Sequence, residues 1–527
     1  MMIVTARAFA NRWATMADSS STPSATRTFS VSVAKSSEPT TVRLGKRKVA
    51  LFVGYDGTSY RGLQQQPSQQ HIEFDDGRQF TVEDVLEEAV YRAGGILDAN
   101  RGSLGKINWA RSSRTDKRVH SLSTVISMKL ECNPGLFETD PDGGTIAEGI
   151  NKHLPLEVRV FAVQRVVKSF DARRECIRRH YDYYVPLTFL ERMIGSLGGG
   201  EGEGEGEGAM DVDEVLTRLE RAWKSYAGHH AFHNFTKRRL YRPSFQQKRR
   251  GVSSDVDGGE ETETDEETGA AANAATVSTP TGAKEPTGTS GTKEPTETSA
   301  PPPAASSRVK GTINFEWKGE RDDSDPIVRS HYRFIEECGC SEPMTLVDHG
   351  GVPCVKLTVS GASFMLHQIR HMVGAALLVA LGKMPQELLH AAMAPPVRIN
   401  LPLAPPGTLV LRSADFGKFR RSYDGKPSAT ERSSGSALRL LDRGVERRDA
   451  FERDVLFRGL NAQLQHDDWL GWSESLAMVR FDTAEADEII RLASEWMERR
   501  DEMKRVRAAL REGGSNEESV ETIAERL

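Results

Sequence analysis

Residues 111–130 read RSSRTDKRVHSLSTVISMKL, and the interpretation of the whole chain starts from them. The second half of the stretch 124–130 alternates, with apolar Ile126, Met128 and Leu130 against polar Ser127 and Lys129, which is typical of a strand with one face in the core. The part before that strand is polar. It places one carboxylate, Asp116, among four cations, Arg111, Arg114, Lys117 and Arg118.

The carboxylate of Asp116 can serve chemistry or structure. Cations within about 4–6 Å hold an aspartate ionised and can orient it. An ionised carboxylate in a cationic cleft can act as a nucleophile or stabilise a cationic sugar transition state. The alternative is an aspartate that only ties down a turn with Arg114, and the residue types alone favour this structural role.

Strands and helices alternate on both sides of this segment. In the first half the patterns predict a strand at 48–55, a helix that Thr81 caps and Gly94 ends, the strand within 124–130, a helix with a capping box at Thr145 and Glu148, and strands at 158–167 and 180–185. The second half repeats the order with a helix at 212–226, a strand at 355–359 and a helix at 366–381. This order predicts an α+β fold.

We therefore predict two similar α/β halves, 46–187 and 188–425, that share a largely antiparallel sheet and enclose a central basic cleft. Residues 426–527 are predicted to form a mainly helical C-terminal extension. An apolar stripe runs through it from Ile489 to Leu510. Such a stripe usually packs on its own protein, and contact with RNA or a partner is the alternative.

The net charge of −5 over 527 residues hides an uneven distribution. Two acidic stretches, 198–214 and 251–310, together carry −14 and leave +9 on the rest of the chain. Their composition predicts disordered inserts, which we place at 195–211 and 251–309. The foldable part is therefore basic, and nucleic acid is a reasonable partner.

Residues 1–45 are rich in Ser, Thr and Arg and poor in acids, the composition of an organelle transit peptide. We expect import into a mitochondrion or plastid; a disordered basic tail is the alternative. The longest apolar run, 372–381, is about half of a bilayer span, so no membrane segment is expected. Five scattered cysteines favour a reducing compartment over a disulfide framework.

Two further clusters combine positive charge with aromatic rings. Residues 173–184 (RRECIRRHYDYY) offer rings that either stack on an unpaired base or fill a core. Residues 237–250 (KRRLYRPSFQQKRR) carry seven bases and no acid. They predict a phosphate-contacting arm, a two-part nuclear import signal or a solvated loop, so the nucleus is the alternative compartment.

Metal and nucleotide motifs are weak or missing. His367 and His371 have the spacing of paired zinc ligands, but Gln368 stands where a general-base Glu would follow. His229, His230 and His233 lack an accompanying carboxylate or cysteine. No phosphate-binding loop or dinucleotide motif occurs, and we expect neither metal nor cofactor.

The segment at 112–130 strongly resembles the catalytic segment of the TruA family of tRNA pseudouridine synthases, whose hallmark is RTD. Other stretches resemble that family in the same order, and some favour its eukaryotic branch, of plant or algal type. They are GYDGTSYRGLQQQ (54–66), INKHLPLEVRVFAVQRVVKSFDAR (150–173), RRHYDYYVP (178–186), HHAFHNFTK (229–237), GASFMLHQIRHMVG (361–374) and RINLPLAPPGTLVL (398–411).

This resemblance implies roles for individual residues. Asp116 falls on the catalytic aspartate, and Tyr181 falls on the tyrosine that stacks on the target uracil. Arg370 falls on the basic residue that pairs with the catalytic carboxylate. Arg114 is expected to help extrude the nucleotide. Further RNA contacts are expected at Lys117, Arg118, Arg179, His233, Asn234, Lys237, Arg238 and Gln368. Arg118 stands where the family usually has Gly, which puts the geometry of the loop in question if the site needs a positive φ.

The resemblance also implies the activity, which is isomerisation of uridine in tRNA to its C-glycoside without a cofactor. Asp116 and Arg370 belong to different halves, so the active site is expected in the cleft between them. Other structured RNAs are further partners, no membrane is involved, and a monomer is favoured. The alternatives are a catalytically weak RNA-binding relative and a glycosidase, which would need a second acid near Asp116.

Overall fold

A computed structural model describes residues 44–65, 80–198, 211–241, 312–319, 325–417 and 437–512. Within these ranges the strands are β1 (Gly45–Tyr55), β2 (Ala110–Arg111), β3 (His120–Cys132), β4 (Val158–Arg165), β5 (Cys176–Pro186), β6 (Gly228–Ala231), β7 (Phe315–Trp317), β8 (Tyr332–Cys340), β9 (Cys354–Gly361), β10 (Val397–Ile399) and β11 (Leu409–Phe416). Nine of them form one sheet, in the order β4-β1-β3-β11-β5-β9-β8-β6 with β2 added to β3, and β7 pairs with β10.

The sheet is largely antiparallel, as the sequence predicts. Among the strand pairs described, only β3 and β11 run parallel. β11 lies between β3 and β5, and β5 pairs with β9 on its other side. Strands that precede and follow residue 187 are therefore interleaved, and the two halves share one continuous sheet.

Helices cover both faces of this sheet. Those before the extension are α1 (Val82–Arg92), α2 (Leu136–Thr139), α3 (Gly144–Asn151), α4 (Ala172–Glu175), α5 (Leu187–Gly198), α6 (Val212–Lys224), α7 (Gln368–Ala380) and α8 (Gln386–Ala391). The extension adds α9 (Asp442–Phe451), a π-helical turn (Glu452–Leu456), α10 (Phe457–Leu464), α11 (Asp467–Ala477) and α12 (Thr483–Glu512). No helix among the described residues is long and apolar enough to cross a bilayer.

Alternate residues of the strands build cores on opposite faces. Leu51 of β1 belongs to a core with α1 and α3, and Tyr183 of β5 belongs to a second core with α6 and α7. Their neighbours Phe52 and Tyr184 point into a third core on the other face. This two-residue periodicity is what a sheet buried on both faces requires.

The C-terminal extension packs on its own protein, the interpretation that the sequence favoured. Residues from Leu438 to Leu464 complete the third core, whereas Trp469, Ile489 and Ala493 complete the core of the second half. The chain of the extension therefore passes from one face of the sheet to the other between α10 and α11. The stripe of α12 is buried only in its first part, because Met503 is 40% exposed.

Two local predictions were wrong. α3 has no capping box at Thr145; its N-cap is Gly143, whose φ of 61° is left-handed and whose added Cβ would lie 2.1 Å from the Val163 carbonyl oxygen. The second concerns an insert boundary. α5 continues through Gly198, and the Asp211 carboxylate accepts a hydrogen bond from the first amide of α6.

Residues 195–198 of the predicted 195–211 insert are therefore helical and its last residue caps α6, because apolar residues of α5 and α6 are buried in the core of the second half. Residues 199–210 and the insert at 251–309 lie outside the described residues, as do residues 1–43.

The segment 229–238 lies largely inside the protein. His233 is fully buried, and its Nε2 lies 2.8 Å from the Val397 carbonyl oxygen. Asn234 donates to the carbonyls of Ala392 and Val397, at 2.8 and 3.0 Å. These side chains hold β10 and α8 in place, and their burial leaves no support for the predicted RNA contacts.

Burial lowers the pKa of His233 to about 3, whereas a histidine in the unfolded chain protonates near pH 6.5. Below about pH 6.5 the unfolded state therefore binds a proton that the folded state excludes. As the pH decreases, His233 should therefore lower the free energy of unfolding by up to about 1.4 kcal/mol per pH unit, until the pH nears the pKa of His233 in the folded state.

Lowering the pH from about 7 to about 5 should lower the melting temperature of His233→Gln by less than that of the wild type. Thermal unfolding followed by circular dichroism measures the difference. His229→Gln, at an exposed position of the same segment, is the control. Parallel pH profiles for wild type and His233→Gln would contradict the prediction.

Candidate active site

The predicted catalytic aspartate begins a tight turn. The Val119 amide donates to the Asp116 carbonyl at 3.1 Å, and Arg118, the third residue of this turn, has a φ of 64°. That is the position of a type II turn that glycine normally occupies. The positive φ that the family pattern anticipates is therefore present, and holding an arginine there costs about 1 kcal/mol or more.

The loop after β1 supports the turn from one side. Tyr55 Oη lies 2.7 Å from Thr115 Oγ1, and the Arg118 amide donates to the Tyr60 carbonyl at 3.2 Å. Gly62 has a φ of 104°, and a Cβ there would lie 2.8 Å from the Thr115 carbonyl oxygen. The loop thus contacts the backbone of the catalytic turn closely and needs glycine at this contact.

The C-terminal extension supports the turn from another side. Arg118 Nη1 donates to Asp468 Oδ2 at 2.5 Å and Nη2 donates to Gln463 Oε1 at 2.7 Å. These contacts join residues that are far apart in sequence, which a linear pattern cannot reveal. The guanidinium predicted to contact RNA is engaged within the protein.

Tyr181 lies on β5, close to the turn. It pairs with Leu411 of β11, which in turn pairs with Ser121 of β3, so two strand spacings, about 10 Å, separate the backbones of Tyr181 and Ser121. Burial raises the pKa of the Tyr181 hydroxyl, a hydrogen bond with Ser113 opposes that rise, and the negative charge of nearby Asp116 adds to it.

The ring of Tyr181 also has an aromatic neighbour. Phe364 contacts it edge to face, with the ring centroids 5.2 Å apart. The ring of Tyr181 is therefore buried against Phe364 in the neighbourhood of Asp116, and its stacking on a base stays a prediction.

The start of α7 brings the second half to the same place. His367 is the N-cap of α7 with a φ of 60°, and its Nε2 lies 3.6 Å from Asp116 Oδ2. Arg370 follows three residues later, in the first turn of the helix. Its side chain is buried, and Nε donates to the Ala404 carbonyl at 2.6 Å.

The sequence predicts no role for His367 beyond metal ligation, because the two histidines of HQIRH have the spacing of zinc ligands. His371 instead lies with Nδ1 3.1 Å from the Leu401 carbonyl oxygen, and burial together with the charge of His367 lowers its pKa to about 4. No group of three potential metal ligands occurs among the described residues. The left-handed backbone conformation of His367 depends on the tertiary structure, and no pattern in the sequence predicts it.

Arg179 connects the segments around the site. Its guanidinium donates to the Ser112 carbonyl from Nη2 at 2.6 Å, to Ser113 Oγ from Nε at 3.0 Å, and to the Ala362 carbonyl. It thereby ties the catalytic segment of the first half to the loop after β9. This role is structural and uses most of the donors that were predicted to bind RNA.

The remaining predicted residues divide by exposure. Arg114, Lys117 and Lys237 are exposed. Gln368 is buried, and its Oε1 accepts a hydrogen bond from the Met365 amide at 2.9 Å. Arg238 donates to Asp325 Oδ2 at 3.1 Å. Of the four cations that flank Asp116 in the sequence, Arg114 and Lys117 are therefore the exposed ones.

Comparison with known proteins agrees with this site. A family model described as tRNA pseudouridine synthase matches residues 304–417. A protein named tRNA pseudouridine synthase 1 from Eremothecium gossypii is 30% identical over 401 residues, which cover 74% of this chain and 67% of that protein. Its namesake from Saccharomyces cerevisiae is 29% identical over 73% of this chain and 64% of its own length.

A mammalian relative, the pseudouridylate synthase 1 homolog of Mus musculus, is 24% identical over 73% of this chain and 64% of its own length. The chain therefore spans about two thirds of the length of these relatives. The similarity to these relatives covers about three quarters of this chain and so extends well beyond the region that the family model matches. On this similarity, together with the RTD turn and its tyrosine, the chain belongs to the family of tRNA pseudouridine synthases.

Proposed function

We propose that this protein isomerises uridines in tRNA to pseudouridine, with Asp116 as the catalytic carboxylate. The observation that carries the proposal is the convergence of Asp116, Tyr181 and the start of α7, from separate parts of a chain related to tRNA pseudouridine synthases. In the reaction the bond from C1′ to N1 breaks and a bond from C1′ to C5 forms. N1 gains a proton and C5 loses one, so the product is an isomer of the substrate.

Each residue has a part in this scheme. Asp116 takes part in cleaving the N-glycosidic bond, through the sugar or through the base. Tyr181 stacks on the extruded uracil, because its ring is buried beside the carboxylate and a base must leave its helix to reach this depth. Arg370, in the first turn of α7, pairs its positive charge with the carboxylate, the role that the family resemblance implies.

Asp116→Asn should abolish pseudouridine formation, because the amide keeps the shape of the side chain but removes the charge and the nucleophile. Affinity for tRNA should stay within a few-fold, because phosphate contacts dominate it. Carbodiimide primer extension on unmodified tRNA measures the first quantity and filter binding the second. Asp348→Asn, an exposed aspartate between β8 and β9, is the control. Full residual turnover in Asp116→Asn would exclude this assignment.

Arg114→Ala combined with Lys117→Ala should weaken tRNA binding and flatten its salt dependence. Each lost phosphate contact lowers the slope of log affinity against log salt by about 0.7 to 0.9. The matched control replaces Arg218 and Lys224, two cations of α6 that pair with glutamates of their own helix. An unchanged slope in the Arg114 and Lys117 variant would show that these cations do not contact phosphates.

A catalytically weak RNA-binding relative is the second candidate, because Arg118 occupies a glycine position. The two functions differ in one assay, since only the enzyme leaves pseudouridine in tRNA after incubation with the purified protein. The structure favours the enzyme, because the turn keeps its left-handed φ despite the arginine.

We also propose that residues 1–45 direct the protein to a mitochondrion or plastid, and that structured RNAs besides tRNA are substrates. The support is the Arg- and Ser-rich, acid-poor composition of this segment. A plant or algal affiliation stays a prediction, because the relatives described above are fungal and mammalian.

A fusion of residues 1–45 to a fluorescent protein should enter the organelle, and the same segment with its arginines and lysine replaced by glutamine should not. Nuclear fluorescence of the full chain, lost when residues 237–250 are neutralised, would favour the nuclear alternative instead.

A further inference from the structure

We infer that Arg118 is a positioning residue, through which the C-terminal extension holds the turn that carries Asp116. The inference rests on the proposed function, because it concerns the orientation of that carboxylate. The arginine contributes to two structures at once. Its backbone is the left-handed residue of the catalytic turn, and its guanidinium binds Asp468 and Gln463 of the extension.

The partner of Arg118 is itself firmly placed. Asp468 lies in the first turn of α11, next to Trp469, which is buried in the core of the second half. The Trp469 ring contacts Phe189 with centroids 5.1 Å apart and Tyr183 with centroids 6.3 Å apart. Asp468 is therefore anchored to β5, the strand that carries Tyr181, and connects the turn to that strand.

Gln463 provides a second anchor. A Cβ at Gly407 would lie 2.3 Å from Gln463 Oε1, so the extension contacts this backbone directly. The Gly407 carbonyl oxygen lies 2.8 Å from Nε2 of His120, the residue with which β3 begins. The extension thus touches both the end of the turn and the strand that follows it.

A third contact lies at Asp56, at the end of the strand that supports the turn. A Cβ at Gly459 of α10 would lie 2.0 Å from Asp56 Oδ2, and Asp56 Oδ1 lies 3.1 Å from His120 Nδ1. The extension therefore approaches the catalytic segment at several points where its chain crosses from one face of the sheet to the other.

These contacts explain how an arginine is kept at a glycine position. A type II turn relaxes to type I when the peptide between its two central residues flips, which here is the peptide between Lys117 and Arg118. Two charge-assisted or polar bonds from the guanidinium oppose this flip, because they hold the side chain on the side of the extension. Without them the first residue of the turn, Asp116, would lose its orientation toward His367 and Tyr181.

The test is a double-mutant cycle with Asp468→Ala, Arg118→Gly and their combination. Asp468→Ala should lower the single-turnover rate at saturating tRNA by about ten-fold or more, with the dissociation constant of tRNA unchanged. In the Arg118→Gly background the same substitution should change the rate less than two-fold, whatever rate that background has, because glycine adopts the turn without a partner. Asp467→Ala, an exposed neighbour in the same helical turn, should leave the rate unchanged.

Hydrogen exchange of the peptide 111–120 provides a readout besides activity. It should be faster in Asp468→Ala than in Asp467→Ala, and Gln463→Ala should show the same change if Asp468→Ala does not fold. An equal loss of rate in both Arg118 backgrounds, or no change in exchange, would overturn the inference. If the wild type makes no pseudouridine, the proposed function fails, and the exchange comparison still decides whether Arg118 couples the turn to the extension.

Discussion

The pairing of β11 with β3 on one side and with β5 on the other is the constraint on which the structure depends. It joins two halves that each have their own helices and core into one continuous sheet. Its register places Ser121, Leu411 and Tyr181 in one row across three strands. Asp116 lies just before β3, and α7 follows β9. This row therefore determines how close the Asp116 carboxylate, the Tyr181 ring and the start of α7 lie to one another.

The site itself depends on a turn that few residues adopt readily. Asp116 is the first residue of a type II turn, and this turn requires a positive φ at its third residue, Arg118. The loop after β1 meets the turn through Gly62, Arg179 holds the residues before it, and the extension binds Arg118. A strained segment persists when its surroundings determine it at several points, and this turn has three such supports.

Sequence patterns predicted the regular elements well where periodicity was long. The alternation before Leu130, the capping threonine of α1 and the apolar face of α7 all correspond to observed elements. Prediction failed at Thr145 because a close contact with the Val163 carbonyl selects Gly143 as the N-cap. At His233 and Asn234 a polar motif gives no sign of whether its partners are RNA phosphates or buried carbonyls, and the structure shows carbonyl partners.

The sequence by itself determined the alternation of strands and helices, the single carboxylate in a cationic segment, and the family to which the motifs belong. Only the tertiary structure decided that Arg118 binds the extension and that His367 approaches Asp116. It also decided that β5 lies in the middle of one shared sheet. The physical reason is range: local patterns record periodicity and turn chemistry, whereas contacts between residues hundreds of positions apart depend on strand register and on the path of the chain across the sheet.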